Sequence, residues 1–276
     1  MTSSTNSMQI VTTRTGTTEL RRRWQASEPW ATLLIVHGLA EHSGRYQQAG
    51  SRLAEAGIDT YAFDFVGFGA SGGIRADIQD WSTYLHQVLD NLVPLFERNL
   101  PVVLLGHSIG GLIVVDYTLS RYRQPDLVVL NAPALDAVVP AWKRIGAPLL
   151  AGAVPRLTLA NPINPVELFI DPEVAVHYRR DPLCITRTTV RLGDIILERM
   201  ERVGRSLDLY DAPTLVLHGG ADSLVPPQVS EPLGELPSVE RRVYPRLRHA
   251  SINEAAGKEI IEDIVAWIRS RIGPGS

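Results

Sequence analysis

The sequence predicts an α/β fold: a mostly parallel central sheet covered by helices on both faces, with a helical cap inserted late in the chain. Three observations carry this. Short apolar runs alternate with amphipathic helical patterns from Thr32 onward, the rhythm of parallel strands joined by crossover helices. One run, Val102–Leu105, leads straight into Gly106-His107-Ser108-Ile109-Gly110, and Leu112–Tyr122 after it reads as a helix. Strand, sharp turn and helix is the setting that makes a G-x-S-x-G pattern a nucleophile elbow. From Ala134 to Tyr210 the rhythm stops, so this stretch is an insertion between two core strands.

The elements follow in order. Residues 9–26 alternate in polarity around Thr15-Gly16, as a β-hairpin does. Thr32–Val36 is a short apolar strand, and Arg45–Ala56 a helix stopped by Gly57. Asp59–Phe63 is a strand followed by the loop Asp64–Gly73, and Asp80 caps a helix. That helix places Trp81, Tyr84, Leu85, Val88, Leu89 and Leu92 on one face. Pro101–Leu105 enters the serine turn, and Leu127–Leu130, Thr214–Leu217 and Arg241–Tyr244 are the remaining strands. A last helix turns Ile260, Ile261, Ile264, Val265 and Ile268 inward. The core is therefore 1–133 and 211–276, with 134–210 as a helical cap. The cap shows no clear strand but two helical patterns, Val138–Leu159, broken by Pro140, Pro148 and Pro155, and Thr188–Val203. Its Leu, Ala, Val and Ile content suits a greasy substrate better than a sugar or phosphate.

Bulk properties narrow the function. With 276 residues the chain is long enough for a sizeable core. A net charge of −3 gives no electrostatic reason to expect nucleic acid. The run Arg21-Arg22-Arg23 is short and falls in what reads as an edge strand with a solvated face. The single cysteine, Cys184, rules out an intramolecular disulfide and a multi-thiolate metal site, and it reads as structural. The first residues carry neither a basic nor an apolar signal region. No apolar run reaches the length of a membrane span, so a cytoplasmic protein is expected.

A serine hydroxyl needs a general base, and the base a carboxylate to orient it. In this class of fold the chain order is Ser, then Asp or Glu, then His. Of seven histidines only His177, His218 and His249 follow Ser108, and His177 lies in the insertion. His218 ends a strand and opens the loop to Asp222; His249 is the only histidine after Asp222. Ser108, Asp222 and His249 are therefore the candidate triad, with Asp208 and Asp211 as reserve acids at the wrong end of their strand. The oxyanion formed in acyl transfer needs N–H donors. Ile109, at a helix N-terminus, supplies one, and Leu39, in the turn after the first parallel strand, the other. His37 precedes the serine and is expected to hold that turn through hydrogen bonds.

The block His37-Gly38-Leu39-Ala40-Glu41-His42-Ser43-Gly44-Arg45-Tyr46 resembles the HGxxEHSGRY signature of the monoacylglycerol lipases. The likeness continues in Asp64–Gly73, Gly106–Gly111, Asn131–Ala134, Asp181-Pro182-Leu183, His218–Asp222, His249 and Asn253-Glu254. The resemblance implies an α/β-hydrolase fold with a helical cap, needing no cofactor. It implies hydrolysis of monoacylglycerols or similar medium- to long-chain esters, with Glu41 and Arg45 at the polar end that receives glycerol. On spacing alone, Glu41 and Arg45 also read as a surface salt bridge. Phe65 and Phe68 stand where the family usually has histidines, and Ala250 where a Glu commonly follows the catalytic histidine. A carboxylesterase, lysophospholipase, thioesterase or acyltransferase would use the same machinery, since fold does not fix substrate. A non-catalytic binding protein of this fold would be expected to have lost a triad residue, and all three are present. The apolar half of the insertion is also a candidate for transient contact with a membrane or lipid surface.

Overall fold

A computed structural model describes residues 5–136, 141–161 and 163–272. In chain order its strands are β1 (Thr5–Thr12), β2 (Thr18–Gln25), β3 (Ala31–Val36), β4 (Ile58–Phe63), β5 (Val102–His107), β6 (Leu127–Asn131), β7 (Thr158–Ala160), β8 (Arg187–Thr189), β9 (Thr214–Gly219) and β10 (Val239–Tyr244). The helices are α1 (Gln47–Glu55), α2 (Ser82–Phe96), α3 (Ile109–Thr118), α4 (Ala141–Ala153), α5 (Pro165–Leu168), α6 (Pro172–Arg180), α7 (Val190–Gly204), α8 (Glu231–Gly234) and α9 (Lys258–Ile272). Eight strands form one sheet in the order β1-β2-β4-β3-β5-β6-β9-β10. From β4 to β10 every neighbouring pair is parallel; β1–β2 and β2–β4 are antiparallel.

The core has two layers because successive side chains of a strand point to opposite faces. In β3, Leu33 and Ile35 join Trp24, Leu53, Ile260, Ile264 and Trp267 on the side of α1 and α9. Leu34 and Val36 join Val88, Leu92, Leu112 and Val115 on the side of α2 and α3. β3 has β4 on one side and β5 on the other, so the winding direction reverses there. In open α/β sheets that reversal opens a crevice at the carboxyl ends of the strands. The turn after β3 and the serine turn after β5 both lie at that crevice.

The structure departs from the sequence reading at four places. β2 is not an edge strand: it lies between β1 and β4, and its arginines are partnered, Arg21 with Glu19, Arg22 with Ser43 and Arg23 with Asp59. The helix after the serine starts at Ile109, three residues earlier than its apolar pattern. Asp80 accepts from the Ser82 amide but sits one residue ahead of the N-cap, Trp81. The stretch between β6 and β9 does contain strands, since β7 and β8 pair antiparallel, and it contains α6, which has too few apolar residues to show a clear periodicity. Val138 and Pro140, where the first helical pattern was expected to begin, lie outside the described residues.

Residues 134–210 contact the core at the carboxyl ends of its strands. Tyr178 donates to the Ala40 carbonyl at 2.9 Å, the Thr189 amide to the Ala76 carbonyl at 3.2 Å, and Glu254 accepts from the Ile170 and Asp171 amides. Among the described residues no helix is long and apolar enough to cross a membrane.

α3 approaches the end of β3 backbone to backbone. A Cβ on Gly110 would lie 2.2 Å from the Val36 carbonyl oxygen and 2.6 Å from that of His37. Both obstacles are backbone and cannot swing aside. Gly110→Ala is expected to cost about 3 kcal/mol or more and to lower Tm by roughly 6–10 °C in a chain of this size. Gly193→Ala in α7, where an added Cβ meets nothing within 4 Å, should instead raise stability by about 0.5–1 kcal/mol. Calorimetry of the two variants checks both; similar effects would refute the assigned difference in space.

Candidate active site

The serine turn is strained. Ser108 has φ 55° and ψ −121°, a left-handed backbone that costs a non-glycine residue about 1–3 kcal/mol. Surrounding bonds hold it there. Its amide donates to the Asn131 carbonyl at 3.1 Å, and its carbonyl accepts from the Gly111, Leu112 and Ala134 amides. A Cβ on Gly106 would fall 2.5 Å from the Gly110 carbonyl oxygen, so both flanking positions need glycine.

Three residues from distant parts of the chain converge here. His249 Nε2 lies 2.9 Å from Ser108 Oγ, and His249 Nδ1 lies 2.7 Å from Asp222 Oδ2. Nδ1 facing a carboxylate carries the ring proton, which leaves Nε2 as acceptor for the serine hydroxyl. All three side chains are buried. Asp222 also accepts from the Leu224 and Val225 amides through Oδ1. Burial by itself would raise its pKa, but the hydrogen bonds from His218 and His249 and the charge of His249 hold it well below the usual carboxylate range. The reserve acids Asp208 and Asp211 are exposed at the amino end of β9, away from this cluster.

The turn after β3 meets the serine closely. A Cβ on Gly38 would sit 3.2 Å from Ser108 Cβ and 3.3 Å from the His107 ring. Among the described residues, neither the Leu39 amide nor the Ile109 amide donates to a protein acceptor. His37 fixes the turn as expected. It receives the Phe65 amide on Nε2 at 3.0 Å, so Nδ1 carries the proton and donates to the Gly38 carbonyl at 2.8 Å.

Glu41 and Arg45 are placed differently from one another. Glu41 is buried, and its Oε1 accepts from the Gly38 amide at 2.7 Å and from the Tyr46 hydroxyl at 2.6 Å, with Asn253 Nδ2 3.4 Å from Oε2. Burial alone would raise its pKa; the His107 ring and the Tyr46 and Gly38 donors outweigh it and hold the carboxyl below its ordinary value. Its oxygens are thus turned onto the loop of Gly38 and Leu39. Arg45 does not pair with it. The Arg45 guanidinium lies over the rings of Tyr178 and Phe169 and 3.9 Å from Asp181, and its Nε is buried without a partner.

Two functional neighbours carried little sequence signal. His107, inside the serine motif, packs its ring 4.8 Å from that of His249 and faces Asn131 through Nδ1. His218 contacts Ser230 and the Val225 carbonyl and approaches Asp222 to 3.4 Å. His42, Asp181 and Cys184 bring one ligand atom each within 4.8 Å of one another, and they are held together by hydrogen bonds. The Gly44 amide donates to His42 Nδ1 at 3.2 Å, which puts the ring proton on Nε2, the atom 2.9 Å from Asp181. Burial pushes the Cys184 thiol far above its ordinary pKa, so it is a protonated packing residue.

Beside Leu39 and Ile109 lies a narrow apolar cleft of about 10 Å³. Phe65, Phe68, Tyr84 and Ile113 line it from the core, and Leu192 and Ile196 from α7. The His37 ring meets Phe65 and Phe68 edge-on. Phe65 and Phe68 thus form an apolar floor of this cleft.

The sheet order, the strained serine after β5 and the Asp222 and His249 side chains that converge on it from the loops after β9 and β10 fit an α/β-hydrolase. The family model of the serine aminopeptidases, S33, matches residues 27–256, and the chain belongs to this family. The chain is 31% identical over 262 residues to a monoacylglycerol lipase of Mycolicibacterium smegmatis, covering 89% of this chain and 90% of that one. An uncharacterized abhydrolase domain-containing protein of Dictyostelium discoideum is 31% identical over 285 residues, and this chain spans 30% of its length. Among solved structures, the monoacylglycerol lipase of Paleococcus ferrophilus superposes with a TM-score of 0.82 at 29% identity, covering 96% of this chain and 100% of that one.

The buried histidine layer makes a pH prediction. Burial lowers the His107 pKa to about 4 from its ordinary value, against the opposing charge of Glu41. The unfolded chain therefore takes up this proton as pH falls through about 6.5, and the folded chain only near 4. Stability is full above that window and is lost on acidification across it, by up to about 3 kcal/mol. Urea unfolding at pH 7.5 and 4.5 should show this loss, and His107→Gln should reduce it. An equal loss in the variant would assign the effect to other groups.

Proposed function

We propose that this chain is a serine ester hydrolase acting on monoacylglycerols or closely related acyl esters through an acyl-enzyme on Ser108. The observation that carries the mechanism is the continuous hydrogen-bond chain from Asp222 through His249 to Ser108 Oγ. In this reading Ser108 Oγ attacks the ester carbonyl carbon and passes its proton to His249 Nε2. Asp222 keeps the imidazole in the accepting tautomer and stabilises the imidazolium. The Leu39 and Ile109 amides receive the oxyanion, as donors already oriented before charge develops. His249 then protonates the departing alcohol, and water, activated by the same imidazole, releases the acid. No step requires a cofactor.

Glu41 serves in this scheme by holding the Gly38–Leu39 turn, and Arg45, with its unpartnered Nε, by facing the polar leaving group. Residues 134–210 act as a cap over the crevice, with α7 supplying one wall. The substrate class is supported by the M. smegmatis and P. ferrophilus relatives and by the apolar cleft beside the two donor amides. The family description keeps an aminopeptidase reading in view. Such an enzyme must hold a free ammonium, yet the buried carboxylates of Glu41 and Asp222 are already taken by donors.

Release of fatty acid from monoacylglycerols is expected in the wild type and should fall on the order of a million-fold in Ser108→Ala. Cleavage of aminoacyl anilides without cleavage of esters would replace the ester reading with the peptidase one. Hydrolysis that survives Ser108→Ala would end the mechanism.

The insertion also exposes Leu149, Leu150, Val154, Leu157 and Leu159, and we assign these residues to transient contact with a lipid surface. In liposome flotation the wild type should float and a Leu149→Asp, Leu150→Asp variant should sediment; equal behaviour of the two would remove the assignment.

A further inference from the structure

A second imidazole lies against the catalytic acid, and it is not the base. His218, near the end of β9, is buried, and both of its ring nitrogens are engaged. Nε2 lies 2.9 Å from the Val225 carbonyl oxygen and 3.4 Å from Asp222 Oδ2. A carbonyl and a carboxylate only accept, so Nε2 carries the ring proton and donates it to Val225. Nδ1, 2.9 Å from Ser230 Oγ, then receives the serine hydroxyl. The Pro227 carbonyl, also within reach of that hydroxyl, is served by the Arg241 guanidinium at 2.6 Å, and Arg241 Nε donates to Ser230 Oγ at 2.9 Å. A chain of donors thus runs from Arg241 on β10 through Ser230 and His218 to Val225.

Val225 is where this chain meets Asp222. Its amide donates to Asp222 Oδ1 at 2.9 Å, beside the Leu224 amide at 3.0 Å, while its carbonyl takes the His218 proton. The imidazole therefore closes the turn of residues 222–225 from behind, and that turn leaves Asp222 Oδ2 facing His249 Nδ1 at 2.7 Å. Without the ring, the carbonyl of the buried Val225 loses its donor, and a buried acceptor left unpaired drives the backbone to move. Both amides that hold Asp222 belong to that backbone. The N–H edge of His218 near Oδ2 adds to them in favouring the carboxylate over the acid.

We infer that His218 is a positioning residue for the reaction, holding Asp222 in the orientation and charge state that His249 requires; this rests on the acyl-enzyme reading above. It touches no reacting atom and acts through the turn of residues 222–225. Donors on a carboxylate weaken its hold on a neighbouring proton, so their loss shifts protonation of the Asp222–His249 pair to higher pH. The other titratable and charged groups around the pair come from separate elements. His107, from β5, packs its ring 4.8 Å from that of His249, and Glu41, from the turn after β3, acts on His107. Arg241 reaches the pair only through Ser230, and Arg248 is turned to the Val166 and Phe169 carbonyls. All four stay in place when His218 or Ser230 is replaced.

The test is the pH dependence of Ser108 labelling by a p-nitrophenyl alkylphosphonate in the wild type, His218→Leu, His218→Gln and Ser230→Ala. Labelling needs the His249 imidazole free to accept a proton, so its rate falls on acidification. His218→Leu should move that acid limb to higher pH by about half a pH unit or more and slow the plateau about ten-fold. His218→Gln, whose amide reaches the same carbonyl, should keep the limb in place. Ser230→Ala should move it in the same direction by a smaller amount, and it carries the test if the leucine variant does not fold. Plain loss of folded protein lowers the rate at every pH alike. A limb unmoved in every folded variant, or a glutamine variant displaced as far as the leucine one, would overturn the positioning role and leave the triad intact. Labelling reads Ser108 whatever ester it cleaves, so a limb that moves as stated supports the role even where monoacylglycerols are not hydrolysed. No labelling of the wild type at any pH would overturn both the role and the acyl-enzyme reading.

Discussion

The site depends on one close approach. Gly110, in the first turn of α3, lies against the carbonyls at the end of β3 with no room for a side chain. That contact brings together two segments that are about seventy residues apart in sequence. It sets the Ile109 amide beside the Leu39 turn, and it forces Ser108 into a left-handed backbone with its oxygen toward His249. The strain is local and is held by four backbone hydrogen bonds around Ser108. Parallel strands on either side supply the rigid frame that such a contact needs.

Around this contact lies a layer of buried polar groups whose protonation is set by place. His37 and His107 are lowered in pKa by burial and remain neutral supports. Each uses its ring to fix a loop rather than to carry charge. Asp222 is ionised, and His249 is the one imidazole of the three placed between that charge and Ser108 Oγ. A neutral His107 against the His249 ring matters, since a second positive charge there would oppose imidazolium formation. Three histidines thus lie close together, and their hydrogen-bond partners set them apart: only His249 faces Ser108 Oγ.

Much of this was legible in the sequence, for physical reasons. Apolar runs such as Val102–Leu105 are buried on both faces and can be little other than central strands. Glycine flanking a serine, followed by a helix, marks a turn that few other residues allow. Chain order then left Asp222 and His249 as acid and base. The failures have causes too. The arginines of β2 look solvated because sequence does not show that Glu19, Ser43 and Asp59 lie within reach. β7 and β8 are three residues each, too short for a period to show. On spacing Glu41 and Arg45 read as a salt bridge, yet Glu41 accepts from the Gly38 amide and Arg45 lies over the rings of Tyr178 and Phe169. Direction of a side chain in a loop is set by partners far along the chain, which local pattern does not encode.

Contacts from the stretch between β6 and β9 fall on the turn after β3, the loop after β4 and the segment carrying His249. The central claim is that Ser108, activated by His249 and facing the Leu39 and Ile109 amides, is the nucleophile. The most direct measurement is mass-spectrometric mapping of the adduct formed with a p-nitrophenyl alkylphosphonate, whose tetrahedral phosphorus places an oxygen where the oxyanion forms. One adduct on the Ser108 peptide, formed on the order of a thousand-fold more slowly in His249→Ala, is the predicted result. An adduct on another residue, or equal rates with and without the His249 imidazole, would contradict it.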